Sequence, residues 1–220
     1  MPHVLVINPN ANTDVTDGIR TAVQGLAGPA RPIEVVGLEG TPYGIESQRD
    51  VDAVAGPLAE RIAAESDRYD AFVIACFSDP GLHAAREVTA KPVLGIAQSG
   101  VLTAMALGSR VGVISILPGS IPRHWRAYRA MGVSEGVVGD HAVGASVAEL
   151  ADESAMGDRM LAVGRELLEA CGADVLVLGC AGMAQYRAPL EAELGVPVVD
   201  PTQAAVGLAQ TSASLGLLTR

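Results

Sequence analysis

Two stretches, YDAFVIAC (69–76) and ADVLVLGC (173–180), share one plan: an aspartate, an apolar run, and a cysteine six positions after the aspartate. Other landmarks recur around them in the same order. HVLVINP (3–9) matches RVGVISI (110–116), with Asn8 placed like Ser115, and KPVLGIAQS (91–99) matches VPVVDPTQA (196–204). The cysteines are offset by 104 positions and the first strands by 107. Repetition of several landmarks at nearly one offset predicts two similar halves related by a pseudo-two-fold axis.

Within each half, short Val- and Ile-rich runs alternate with stretches of helical character. HVLVINP, IEVVGL (33–38), AFVIAC (71–76) and PVLGIA (92–97) read as strands. Helices are expected from the Asn12-Thr13-Asp14 cap to about Leu26, over roughly Asp50–Glu65, and from Asp79-Pro80 onward. Unbroken apolar runs are the mark of parallel strands buried on both faces, so the fold class is α/β. The expected division is a first half of 1–98 and a second of 99–202. A C-terminal helix over about 203–220 would rejoin the first.

Composition narrows the functions. The net charge is −10 with no basic cluster, which argues against nucleic acid and anionic membranes as partners. No apolar run is long enough to span a bilayer, and MPHVLVINPN lacks the cationic and long apolar segments of a signal peptide. The expectation is a cytoplasmic protein with reduced thiols, since three cysteines cannot all pair within one chain. The four histidines show no metal-ligand spacing, and the nucleotide- and zinc-binding motifs GxGxxG, GxxxxGK[ST] and HExxH are missing. Neither a cofactor nor a metal is expected.

The chemistry must then come from side chains. A thiol at a strand end is rigidly aimed and open to a small molecule, and its ordinary pKa near ~8.5 is easily lowered toward neutrality. With one thiol on each side of a carbon acid, one removes the α-proton and the other returns a proton to the opposite face. Backbone amides hold the enolate-like intermediate. Cys76 and Cys180 are the catalytic candidates. Cys171, in LLEACGAD, reads as helix packing before a glycine stop.

The segments VINPN (6–10), VIACFSDPGL (73–82) and VLGCAGMA (177–184), with GVPVVDPTQAAV (195–206) and LGLLTR (215–220), resemble the aspartate/glutamate/hydantoin racemase superfamily, most of all its hydantoin and allantoin racemase branch. The resemblance implies two flavodoxin-like halves with the active site in the cleft between them, and Cys76 and Cys180 as the acid/base pair. It also implies a substrate pocket lined by Asn8, Phe77, Ser78, Ser115, Ala181 and Gly182. The chain departs from the pattern at Gln98 and His83 and in the stretch LPGSIPRHWRAYRAMG (117–132), where Arg123 and His124 after Pro122 read as a solvated helix start, with substrate contact as the alternative.

The expected function is a cofactor-independent racemase or epimerase acting on a small molecule, preferably a 5-substituted hydantoin or allantoin, in a homo-oligomer. Aspartate or glutamate racemisation, and decarboxylation or cis–trans isomerisation on the same fold, are the alternatives. A non-catalytic binding protein would not need paired thiols. A redox protein would be expected to place its cysteines close in sequence, and no CxxC is present.

Overall fold

A computed structural model describes residues 2–145 and 153–218 of the 220-residue chain. It divides into two compact units. Unit 1 comprises the chain up to Ser99 together with Thr202 onward, and unit 2 comprises Gly100–Pro201.

Unit 1 is built on four parallel strands, β1 (Val4–Asn8), β2 (Ile33–Gly37), β3 (Ala71–Ile74) and β4 (Val93–Gly95), in the order β2-β1-β3-β4. The two central strands are buried at every position, as their unbroken apolar sequences demand. Helices α1 (Thr13–Val23), α2 (Gln48–Glu65) and α3 (Leu82–Glu87) connect them. Local chemistry sets the helix starts. Asn12 Oδ1 accepts from the amides of Asp14 (3.0 Å) and Val15 (3.3 Å) at α1. At α2, Ser47 and Asp50 form a reciprocal capping box. Leu5, Ile7, Leu58, Ile62, Phe72 and Ile74 form the centre of the core.

Unit 2 repeats the arrangement with β5 (Val111–Ser115), β6 (Val137–Ala142), β7 (Val175–Leu178) and β8 (Val198–Val199), all parallel and ordered β6-β5-β7-β8. Its helices include α5 (Ile121–Ala130), α6 (Glu153–Glu169) and α7 (Arg187–Leu194). The core gathers Ile114, Met160, Leu167, Leu176, Leu178 and Met183. Two helices cross the unit boundary in sequence, α4 (Ile96–Leu107) and α8 (Pro201–Ser214). In unit 1, α8 is tied to the end of the first helical segment, where Gln203 Nε2 donates to Ala22 O (2.9 Å) and Gln210 Nε2 to Leu26 O (3.1 Å). No helix among the described residues is long and apolar enough to cross a membrane.

The duplication extends to hydrogen bonds. Asp70 accepts the amide of His3 at the mouth of β1, and Asp174 accepts the amides of Ser109 and Arg110 at the mouth of β5. The aspartate before each cysteine strand therefore ties that strand to the start of its neighbour. With no burial and two amide donors, Asp174 is held below the ordinary carboxylate range.

Three expectations need correction, and one strand was not anticipated. In the stretch 117–132 a short 3-10 turn leads into helix α5, with Pro122 near its start as read, but His124 is buried rather than solvated. Strand β6 carries Gly139, Asp140 and His141 amid its apolar residues and so has no continuous apolar signature. The C-terminal helix stops at Ser214, with Gly216 at φ +66°; the last two residues of the expected 203–220 segment lie outside the described residues. Finally, α3 does not start on an Asp79–Pro80 cap. Its N-cap is Gly81 at φ +65°, where a Cβ would approach the Ala55 Cα to 2.9 Å.

Candidate active site

A sheet ordered β2-β1-β3-β4 changes its direction of winding between β1 and β3, so the chain leaves those two strands toward opposite faces. Ligands of open α/β sheets bind outside the carboxyl ends of such a pair. In unit 1 the residues there are Asn8 and Cys76; in unit 2, between β5 and β7, they are Ser115 and Cys180. The two ends are pinned alike. Ala75 N donates to Ile7 O (2.9 Å) and Gly179 N to Ile114 O (2.8 Å), and a half-buried cysteine follows immediately in each case.

In unit 1, Asn8 is fully buried, and its Nδ2 donates to Asn10 Oδ1 (2.9 Å), Thr16 Oγ1 (3.0 Å) and Asn12 O (3.3 Å). Its Oδ1 accepts from Asn10 N (3.3 Å). Asn8 thus shapes the loop between β1 and α1. Asn10 was not singled out in the sequence; it receives both Asn8 Nδ2 and Asn12 N on its oxygen. Phe77 is buried and Ser78 half-buried, in a turn closed by Asp79 N donating to Cys76 O (3.0 Å). The Asp79 carboxylate crosses to α4 and accepts from the amides of Ala97 (2.9 Å) and Gln98 (2.8 Å). Burial pushes its pKa up to about 6 although both amides and Arg86 favour the anion. His83 is exposed, while Gln98 accepts from Arg86 Nη2 (2.9 Å).

In unit 2, Cys180 is the N-cap of a 3-10 turn over Ala181–Tyr186, and its Sγ accepts from Gly182 N at 3.3 Å. An amide aimed at sulfur favours the thiolate. Ala181 is buried and Gly182 half-buried. Ser115 is fully buried, and its hydroxyl donates to Asp140 Oδ1 (2.5 Å) and lies 3.2 Å from His124 Nδ1. Asp140 Oδ2 accepts from His124 Nδ1 and Tyr128 OH, both at 2.9 Å. A carboxylate can only accept, so the two side chains and the serine converge on it as donors. His124 is therefore a buried structural partner of Ser115, and Arg123 beside it donates to Gly119 O (3.3 Å). The sequence carried a usable sign of this cluster. His124 and Tyr128 are four apart on one helix face, and Asp140 interrupts an apolar strand.

The third thiol stands apart from this cluster. Cys171 lies in the turn after α6 rather than on its face, 3.8 Å from His141 Nε2. Among the described residues no three His, Cys, Asp or Glu side chains are grouped to hold a metal ion.

The family model for Asp/Glu/Hydantoin racemase matches residues 4–209. A hydantoin racemase of Pseudomonas sp. (strain NS671) is 39% identical over 215 residues, covering 97% of this chain and 86% of that protein. A hydantoin racemase of Rhizobium meliloti is 36% identical over 231 residues, covering 99% and 91%. The structure of allantoin racemase from Klebsiella pneumoniae matches with a TM-score of 0.95 at 32% identity, over 100% of this chain and 91% of that one. The chain belongs to the Asp/Glu/hydantoin racemase family, and with it to the isomerases.

Proposed function

We propose that the protein racemises a five-membered cyclic ureide, a 5-substituted hydantoin or allantoin, through the thiol pair Cys76 and Cys180 and without a cofactor. The observation that carries this reading is the matched position of the two cysteines. Each is the first residue past the last main-chain bond between the two switch-point strands of its unit. The hydantoin and allantoin racemases among the relatives support the substrate class.

The mechanism follows from thiol chemistry. The ring C–H next to the carbonyl is acidic because the carbanion delocalises onto oxygen. A thiolate takes that proton, the enolate oxygen is held by amide donors, and the second thiol protonates the opposite face. The Gly182 amide donates to Cys180 Sγ, a contact that favours negative charge on the sulfur. Phe77 and Ser78 follow Cys76, and Ala181 and Gly182 follow Cys180, so in this reading the donors for that oxygen are the groups next in the chain to each sulfur. Asn8 and Ser115, assigned to the pocket by family resemblance, enter as the buried supports of these loops.

Solvent deuterium exchange at the α-carbon tests the proposal, read by NMR and circular dichroism on single enantiomers of allantoin, benzylhydantoin, isopropylhydantoin, aspartate and glutamate. Exchange with loss of optical activity on the ureides is the expected result. Exchange on the amino acids alone would transfer the reading to free aspartate or glutamate, and no exchange on any would overturn it.

A further inference from the structure

Asp79 is the only non-glycine residue among those described with a positive φ, +43°. That conformation is uncommon for any L residue, and aspartate is among the few that adopt it, where hydrogen bonds to its side chain hold it. Three elements do so. The first turn of α4 offers the amides of Ala97 and Gln98 to the carboxylate, at 2.9 and 2.8 Å. Strand β4 ends in Gly95, which leaves the carboxylate its space: a Cβ there would lie 2.2 Å from the Asp79 carboxyl carbon. From α3, Arg86 attracts the charge while donating to Val93 O (3.1 Å) and Gln98 Oε1 (2.9 Å). A helix N-terminus is ordinarily capped from the residue just before it. Here the cap arrives from 17 positions away, out of the turn that begins at Cys76.

We propose that Asp79 is the positioning residue of Cys76: clamped on α4, it fixes the Cys76–Asp79 turn and with it the direction of the thiol. The turn is closed by Asp79 N on Cys76 O, so backbone and side chain of one residue anchor both of its ends. Unit 2 fixes its cysteine by other means. Cys180 is held within its own 3-10 turn by Gly182 N, and at the position equivalent to Gly95 an aspartate, Asp200, stands directly before α8. The latch therefore serves one thiol of the two. This inference rests on the reading of Cys76 as a proton-transfer group.

The test compares wild type with Asp79→Ala, Asp79→Asn and Gly95→Ala, the last of which displaces the carboxylate without removing it. Iodoacetamide labelling of the native proteins, quantified for each cysteine peptide by mass spectrometry, reports the two thiols separately whatever the substrate proves to be. Asp79→Ala and Gly95→Ala should both change the Cys76 rate severalfold and leave Cys180 unchanged, with Asp79→Asn partly restoring it through its remaining acceptor oxygen. On an active ureide, α-proton exchange from one enantiomer should fall ~10- to 100-fold in kcat with little change in KM, as expected for a displaced reacting group. Exchange from the other enantiomer should persist. Equal changes at both cysteines, or an unaltered Cys76 in folded Gly95→Ala protein, would overturn the proposal. Failure of every substrate alongside a selective Cys76 effect would instead count against the racemase reading and leave the latch standing.

Discussion

Gly179 packs directly on Ser115: a Cβ at position 179 would stand 3.0 Å from both the Cα and the Oγ of Ser115, and 2.8 Å from Ile114 O. Two of those three neighbours are backbone of a central strand, which cannot turn aside as a flexible side chain would. Gly179→Ala should therefore destabilise the protein by about 1–3 kcal/mol. It should also disturb Cys180, the next residue. Urea unfolding and labelling of Cys180 check both effects, and a fully stable variant with normal Cys180 reactivity would contradict the close packing.

Asp140 gathers donors from Ser115, His124 and Tyr128 inside unit 2. Asp140→Ala takes the shared acceptor from three buried side chains and should cost about 3 kcal/mol or more. Tyr128→Phe deletes one donor and keeps the ring, and about 1 kcal/mol is expected. Equilibrium unfolding of both variants measures the two costs. Equal, small losses would mean that the cluster does not act as a unit.

The pH dependence of stability carries a signature of Asp79. The unfolded residue ionises near its ordinary value of 3.8 and the folded one near 6. Between those values the folded state binds more protons, so this group's contribution to stability is full below about pH 4 and declines as pH rises toward 6 and beyond. The change amounts to about 3 kcal/mol at most. Asp50 and Asp174, lowered by hydrogen bonds to their anions, act in the opposite sense and below 3.8. Comparing urea midpoints at pH 4.5 and 7 in wild type and Asp79→Asn isolates the effect, which should disappear in the variant.

Separate substitution of the thiols distinguishes two-base from one-base chemistry. Cys76→Ser and Cys180→Ser should each abolish racemisation of both enantiomers. Each should nonetheless retain α-proton exchange from the one enantiomer whose base survives. Racemisation by either variant at near wild-type rate would exclude the thiol pair.

How much of this was legible in the sequence depends on where each residue's partners lie. Strands β1, β3, β5 and β7 are central and buried on both faces, and their unbroken apolar runs announce them. Asn12 is equally readable because its cap acts two and three residues ahead. Strand β6 was missed because its burial is broken and its polar Asp140 satisfies a need created by α5 and β5. The start of helix α5 is legible at Pro122, whereas the burial of His124 is set by Asp140 on a strand that follows in sequence. Asp79 looks like the cap of the helix that follows it, and only the fold shows that its partners are the amides of another. Asn8 and Ser115 carry groups suited to a ligand, and the bonds those groups make within their own units, to Thr16 and to Asp140, come from residues too distant for the sequence to show.

The return of α8 to the outer end of α1 has a consequence for how the chain is made. Unit 2 is contiguous, so all of it can leave the ribosome and fold from neighbouring sequence. Unit 1 needs Gln210 beside Leu26, a separation of 184 residues, and so waits until α8 has been synthesised. Unit 1 is begun before unit 2 and completed after it. A nascent chain halted after β8 would hold one completed unit and leave exposed the surface of the other that Ala22 and Leu26 present to the final helix.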